Sequence, residues 1–92
     1  MKIAIIGCGY VVDHYLKTLK SHSVLELIGV TDIQLERAEK VAKYYDTTVY
    51  KSNKELLADP DVELVVNLTN PESHYDVNKT ALLAGKHVYS EK

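Results

Sequence analysis

The sequence contains no tryptophan, only one cysteine and no long apolar run, and each of these absences excludes a class of protein. Cys8 cannot form an internal disulfide, and with no secretion signal we expect the reducing cytoplasm as the compartment. No apolar stretch approaches the roughly 20 residues that cross a bilayer, which excludes membrane insertion. The net charge of -2, with the signs interleaved, leaves no basic surface for nucleic acid, and the lack of tryptophan predicts no stacking platform. No histidine has the partner spacing of a metal site.

The length and composition indicate one globular domain. A chain of 92 residues lies near the lower limit for a buried core without disulfides or metals. Hydrophobic residues make up 46% and charged residues 26% of the chain, ordinary values for a soluble fold. No linker divides the sequence, so we treat residues 1–92 as a single domain.

Strand-like and helix-like segments alternate along the chain. Apolar and β-branched runs predict five strands, at 2–6, 24–31, 47–50, 62–68 and 87–90. Apolar residues at helical spacing predict helices at 10–22 and 34–45, and another that starts at 70–73 and ends near 83. A Ser-x-x-Glu capping box at 52–55 opens a further short helix, and Gly85 is placed to end the last one.

This alternation predicts an α/β fold of the Rossmann-like type. Parallel strands need connections of roughly a dozen residues or more, which helices supply. Right-handed crossovers then give a three-layer sandwich around a parallel sheet of strand order 3-2-1-4-5. A ligand crevice is expected at the carboxyl ends of strands 1 and 4, where the winding reverses.

The first strand runs into a glycine-rich turn, AIIGCGYVV at positions 4–12. Gly7 permits a tight strand-to-helix turn, and Gly9 removes a Cβ so that the backbone can approach a pyrophosphate at the start of a helix. Two glycines alone fit a turn that binds no ligand just as well as they fit one that binds a pyrophosphate. Asp32, 25 positions after Gly7 at the end of the second strand, favours a nucleotide, because a carboxylate there accepts hydrogen bonds from ribose hydroxyls.

Three residues bear on the choice and affinity of the cofactor. The Asp32 carboxylate repels a 2′-phosphate, so we predict NAD. Arg37 in the following helix could reach such a phosphate and keeps NADP open, although an arginine there is more often a solvated face residue. Val12 stands where the fingerprint usually has Gly or Ala, and a larger side chain in a tight packing site costs about 1 to 3 kcal/mol unless the backbone shifts. We therefore expect a slightly displaced first helix.

Four motifs together resemble the N-terminal domain of the Gfo/Idh/MocA oxidoreductase family, which includes glucose-fructose oxidoreductase and inositol dehydrogenase. They are the glycine-rich turn, Asp32, LTNPESH at 68–74 and AGKHVYSEK at 84–92, so the resemblance covers the whole chain. Glu91 and Lys92 match the start of the family's Glu-Lys-Pro motif. Thr69 keeps the family's spacing to a histidine, but the order of Asn and Pro after it is reversed.

The resemblance implies a set of residues that bind the dinucleotide and one catalytic residue. The implied contacts of the pyrophosphate, the adenosine and the nicotinamide side are, in chain order, Gly7, Cys8, Gly9, Tyr10, Val11, Val12, Asp32, Ile33, Arg37, Leu68, Thr69, Asn70, Pro71, His74 and Glu91. Lys92 is implied to be catalytic, with its ammonium steadying charge on the reacting oxygen. The implied reaction is hydride transfer between NAD(P) and a hydroxyl-bearing carbon of a sugar or cyclic polyol. For His74, a plain position in the first turn of a helix stays open.

In this family the acid/base residues, the substrate contacts and the oligomer surface belong to a second domain. We therefore expect the sequence to be the amino-terminal part of a longer, homo-oligomeric enzyme and to be inactive alone. Its fifth strand would leave an unpaired edge that invites self-association. Two alternatives stay open: a non-catalytic NAD(P)-binding regulator of the same fold, and a Rossmann module for another nucleotide-bearing ligand such as a CoA derivative.

Overall fold

The computed structural model describes residues 1–8, 25–69 and 71–90, and of residues 71–74 it describes the backbone. In this part of the chain, five strands alternate with three helices. The strands are β1 (Lys2–Ile6), β2 (Glu26–Thr31), β3 (Thr48–Val49), β4 (Leu64–Asn67) and β5 (His87–Ser90). The helices are α1 (Leu35–Tyr45), α2 (Asn53–Ala58) and α3 (Pro71–Leu83). The helix predicted at 10–22, with the displacement expected from Val12, lies outside the described residues.

The strands form one parallel sheet in the order β3-β2-β1-β4-β5, which confirms the predicted topology. Ile6, the last residue of β1, pairs with Thr31 of β2 on one side and with Asn67 of β4 on the other. Asn67 pairs in turn with Ser90 at the end of β5. We call these four residues, Thr31, Ile6, Asn67 and Ser90, the carboxyl row.

Helices cover both faces of the sheet and bury its apolar side chains. On one face, α2 and α3 contribute Leu56 and Val77 to a cluster that includes Ile6. On the other face, α1 contributes Ala38 to a cluster that includes Ile5. Because successive strand residues point to opposite faces, β1 is buried on both sides, and this gives the three layers that the sequence predicted.

Three strands, β2, β3 and β4, are shorter than predicted, and in β3 and β4 the first predicted residue bonds to a neighbouring turn instead. The sequence predicted strands at 47–50 and 62–68. Thr47 N–H instead donates to Ala42 O (2.9 Å) at the end of α1. Val62 N–H donates to Asp59 O (3.2 Å) in the turn that follows α2. The pairing of β3 and β4 with their neighbouring strands therefore begins only after these turn residues.

Both predicted helix-capping features are present. The Ser52 hydroxyl accepts the Glu55 N–H (3.1 Å) at the start of α2. After α3, Gly85 has a φ of +79°, and Lys86 N–H donates to Ala81 O (3.1 Å), as in a Schellman motif. Among the described residues, no helix is long and apolar enough to cross a membrane.

Candidate functional site

Gly7 directly follows β1 and joins two neighbouring strand ends. Its N–H donates to Thr31 O (2.9 Å), and its φ of +102° lies in a region that side chains disfavour. A Cβ on Gly7 would stand 2.7 Å from the carbonyl carbon of Leu68 and 2.8 Å from the backbone nitrogen of Thr69. The turn after β1 therefore lies directly against the loop after β4, at the point where the winding of the sheet reverses.

The half-buried carboxylate of Asp32 ties this turn to the start of α1. Its Oδ2 accepts the N–H of Cys8 (2.6 Å), and its Oδ1 accepts the N–H of Gln34 (2.8 Å). A carboxylate has about four lone-pair sites, so each oxygen can accept one more hydrogen bond. Asp32 thus lies beside the glycine turn and keeps acceptor capacity for hydroxyl groups of a ligand.

Cys8 is buried in the glycine turn and is not a nucleophile. Only 6% of its surface is exposed, and its thiol donates to Thr31 O at a sulfur–oxygen distance of 3.6 Å. Burial, reinforced by the negative charge of Asp32, raises the pKa of the Cys8 thiol to about 12. The thiol is therefore neutral at physiological pH, and Cys8 contacts Asp32 through its backbone N–H.

Two predicted adenosine contacts stand exposed after Asp32. Ile33 is 87% exposed, an unusual position for a large apolar side chain. Arg37 is exposed in the first turn of α1, and its backbone N–H donates to Gln34 O (2.9 Å). Both side chains are thus accessible on the β2 side of the crevice.

On the β4 side, a polar network that the sequence analysis missed holds Thr69. Asn67 is fully buried, and its Oδ1 accepts both the backbone N–H (3.1 Å) and the hydroxyl (2.6 Å) of Thr69. Its Nδ2 donates to Oδ1 of Asn78 on α3 (2.9 Å), which also accepts the Ser90 hydroxyl (2.8 Å). A buried asparagine ending an otherwise apolar strand requires a hydrogen-bond partner, and that was the available signal.

The remaining predicted site residues are placed only in part. Leu68 is half-buried and packs against the cluster on the α1 face. Pro71 and His74 lie in the first turn of α3. The residues outside the described part of the chain are Gly9, Tyr10, Val11, Val12, Asn70, Glu91 and Lys92. Within the described ranges, no group of three or more His, Cys, Asp or Glu side chains is arranged to hold a metal ion.

The fold and the site together define a nucleotide-binding domain of the Rossmann class. A parallel sheet of this order places its crevice at the carboxyl row, and the turn at Gly7 and the carboxylate of Asp32 meet there. A sequence profile described as an oxidoreductase family with an NAD-binding Rossmann fold matches residues 1–92. The chain belongs to this family, Gfo/Idh/MocA, which confirms the resemblance.

Individual relatives agree with this assignment. The chain is 37% identical to the inositol 2-dehydrogenase of Pseudomonas savastanoi, over 100% of this chain and 28% of that enzyme. It is 34% identical to an inositol 2-dehydrogenase/D-chiro-inositol 3-dehydrogenase of Lactiplantibacillus plantarum, over 99% of this chain and 27% of that enzyme. The crystal structure of an NAD-binding protein from Listeria innocua matches with a TM-score of 0.91 at 34% identity, over 99% of this chain and 27% of that one. The chain thus spans about a quarter of the length of these relatives.

Proposed function

We propose that the protein binds NAD at the carboxyl row and, within a longer enzyme, transfers hydride between this cofactor and a hydroxyl-bearing carbon of a sugar or cyclic polyol. The observation that carries the proposal is the Asp32 carboxylate, which holds the glycine turn through Cys8 and retains acceptor capacity. The inositol dehydrogenases among the relatives support the polyol class.

The adenosine half of the cofactor is assigned to the β2 side of the crevice. Asp32 accepts the ribose hydroxyls with the lone pairs that Cys8 and Gln34 leave open. Ile33, with its exposed apolar side chain, offers a surface for the adenine. The pyrophosphate is assigned to the backbone that continues from Gly7 and Cys8 through residues 9–12.

The nicotinamide half is assigned to the loop after β4 and to the residues after β5. Thr69 lies there, and Asn70, Pro71, His74 and Glu91 are proposed to line the same side by their match to the family. When bound, the nicotinamide supplies the carbon that accepts or releases the hydride. Lys92 is proposed to steady charge on the reacting oxygen of the substrate.

Asp32 also favours NAD over NADP. A carboxylate close to the ribose hydroxyls repels a 2′-phosphate, and like charges in contact cost binding free energy. Arg37 provides the opposing charge from the first turn of α1, so the preference depends on which side chain is nearer the phosphate. Removing the carboxylate is expected to narrow the preference for NAD about tenfold, equivalent to about 1.4 kcal/mol.

Titration calorimetry with NAD, NADH and NADP tests the cofactor site. Asp32→Ala is expected to weaken NAD binding at least tenfold, because it removes the ribose acceptor and releases the N–H of Cys8. Glu39→Gln removes one negative charge from the exposed face of α1 and serves as the matched control, with unchanged affinity. Equal affinities for the two variants would contradict the role of Asp32.

The hydride transfer is tested in the longer enzyme by following NADH formation with a panel of cyclic polyols and sugars. Lys92→Ala is expected to abolish turnover while NAD binding persists, and Lys79→Ala on the exposed surface of α3 is the control. Binding of NAD without turnover of any sugar or polyol would instead favour the non-catalytic regulator.

A further inference from the structure

One backbone group fixes the direction of the hydrogen bonds that join Asn67 to Thr69 and Asn78 among the described residues. The N–H of Thr69 can only donate, so the Asn67 atom that it contacts at 3.1 Å is the carbonyl oxygen Oδ1. The amide of Asn67 therefore turns its Nδ2 toward Asn78. Since Nδ2 can only donate, the Asn78 atom 2.9 Å away is Oδ1.

The two hydroxyls that border this network also have a fixed direction. The Thr69 hydroxyl contacts Asn67 Oδ1 at 2.6 Å, and the Ser90 hydroxyl contacts Asn78 Oδ1 at 2.8 Å. Both amide oxygens are acceptors, so both hydroxyls donate their single hydrogen inward. What each hydroxyl retains is its lone pairs, with which it can only accept.

This polarity bears on the ligand, because Thr69 follows β4 and Ser90 ends β5 at the carboxyl row. A ligand hydroxyl can donate or accept, so a protein group that only accepts does not distinguish a hydroxyl from other donors. The amino group of a carboxamide only donates, and it is matched by an acceptor whose own hydrogen is already engaged. Nicotinamide carries such a group.

We propose that Asn67 and Asn78 act as positioning residues that hold the Thr69 hydroxyl as an acceptor for the carboxamide amino group of the nicotinamide, so that this end of the cofactor is recognised by its hydrogen-bond donor. The inference rests on the proposed function. Asn78 contributes from α3, eleven positions after Asn67, and is proposed to act only through Asn67 and Ser90.

The test compares three ligands by titration calorimetry. They are NAD, its 3-acetylpyridine analogue, which lacks the amino group of the carboxamide, and ADP-ribose, which lacks the nicotinamide. The wild-type protein is expected to bind NAD about tenfold more tightly than the acetylpyridine analogue, the usual weight of one hydrogen bond. Thr69→Val removes the acceptor and is expected to abolish this preference, whereas Thr69→Ser keeps it.

Variants of Asn78 separate positioning from folding. Asn78→Leu is expected to lower the preference for NAD while the affinity for ADP-ribose stays unchanged. Asn78→Asp retains an oxygen that accepts from both Asn67 and Ser90, and is expected to restore the preference. Thr80→Val, which removes a hydroxyl bonded to Asp76 O (2.7 Å) on the exposed side of α3, is the control for disturbance of this helix.

Three results would overturn the inference. The first is an unchanged NAD preference in Thr69→Val. The second is an Asn78→Leu variant that loses ADP-ribose and NAD affinity equally, since that pattern reports a structural defect alone. The third is a wild-type protein that binds ADP-ribose but does not prefer NAD to the analogue. Failure of the wild-type protein to bind even ADP-ribose would refute the proposed cofactor site as well.

Discussion

At the scale of single residues, Gly7 and Gly85 share a positive φ but differ in what surrounds them. A Cβ on Gly7 would meet backbone atoms of Leu68 and Thr69, whereas one on Gly85 would meet nothing within 4 Å. Gly85→Ala is therefore expected to cost only the backbone strain, about 1 kcal/mol. Gly7→Ala adds a clash with backbone atoms, which no side-chain rotation can relieve. We therefore expect the free energy of unfolding to fall by about 2 to 4 kcal/mol.

Urea denaturation of the two variants measures this difference. The midpoint of unfolding should fall clearly further for Gly7→Ala than for Gly85→Ala. Equal losses would mean that the turn after β1 does not lie as close to the loop after β4 as the structure places it.

Tyr50 gives the stability a dependence on alkaline pH. Burial, strengthened by its hydrogen bond to Asp59, raises the pKa of Tyr50, whose side chain is 8% exposed. The same hydrogen bond lowers the pKa of Asp59. The folded state therefore holds the Tyr50 proton more tightly than the unfolded state does. The resulting contribution to the free energy of unfolding is complete below the unfolded-state pKa of about 10 and is lost as the pH rises above it.

We predict that the free energy of unfolding falls by up to about 1.4 kcal/mol per pH unit above pH 10 on account of Tyr50. Tyr50→Phe removes this slope, while Tyr44→Phe, at a residue that is 78% exposed, leaves it in place. Denaturant unfolding between pH 9 and 11 measures both. A slope that persists in Tyr50→Phe would contradict the prediction.

Residues that are recognisable by local spacing could be predicted from the sequence, whereas residues that matter through contacts between distant parts of the chain could not. Gly7 and Asp32 were identifiable because a turn and a strand end carry recognisable residue types at a characteristic separation. Asn67 and Asn78 were not, because nothing local shows that a strand end and the middle of α3 meet. Only the pairing of β4 and the packing of α3 bring them together.

At the scale of elements, α1 ends on a residue that is poorly suited to its conformation. Asp46 has a φ of 54° in the left-handed region, and its N–H donates to Ala42 O. A non-glycine residue pays a steric penalty there, and a carboxylate at a helix C-terminus is unfavourable with the helix dipole. We predict that Asp46→Gly stabilises the protein by about 0.5 to 1 kcal/mol, measured as a rise in the unfolding midpoint.

The matched control for this prediction is Asp61→Gly, at an exposed position outside the helices, which lacks the positive φ. It is expected to leave the stability unchanged or lower it. A loss of stability in Asp46→Gly would show that α1 does not end as described.

The order of the elements was predictable, and their lengths were less so. Periodicity separates strands from helices, but the first residue of a strand is decided by which N–H a turn takes, as at Thr47 and Val62. The register shift between Ile3 and Ala4, where β2 accommodates one extra residue, also depends on how two strands meet. Strand ends and register shifts are thus determined by how two strands pair, and the sequence of one strand alone does not indicate them.

At the scale of the whole molecule, the parallel sheet gathers residues distant in sequence into one site. Four strands end in the carboxyl row, while their amino ends lie at the opposite side of the sheet. β3 and β5 form the lateral edges of the described sheet. Self-association through β5 stays a prediction, as do the homo-oligomer and the cytoplasmic location. The residues that are proposed to bind NAD lie along this carboxyl row.

Nuclear magnetic resonance tests whether NAD binds at the carboxyl row, because the chemical shifts of the backbone amides can be followed while the protein is titrated with NAD. The largest changes are expected at Cys8, Ile33 and Thr69, on three different loops of the crevice. The amides of Glu26 and Glu63, at the amino ends of β2 and β4, should stay unchanged. Chemical-shift changes centred on Glu26 and Glu63, or no changes at saturating NAD, would contradict binding at the carboxyl row.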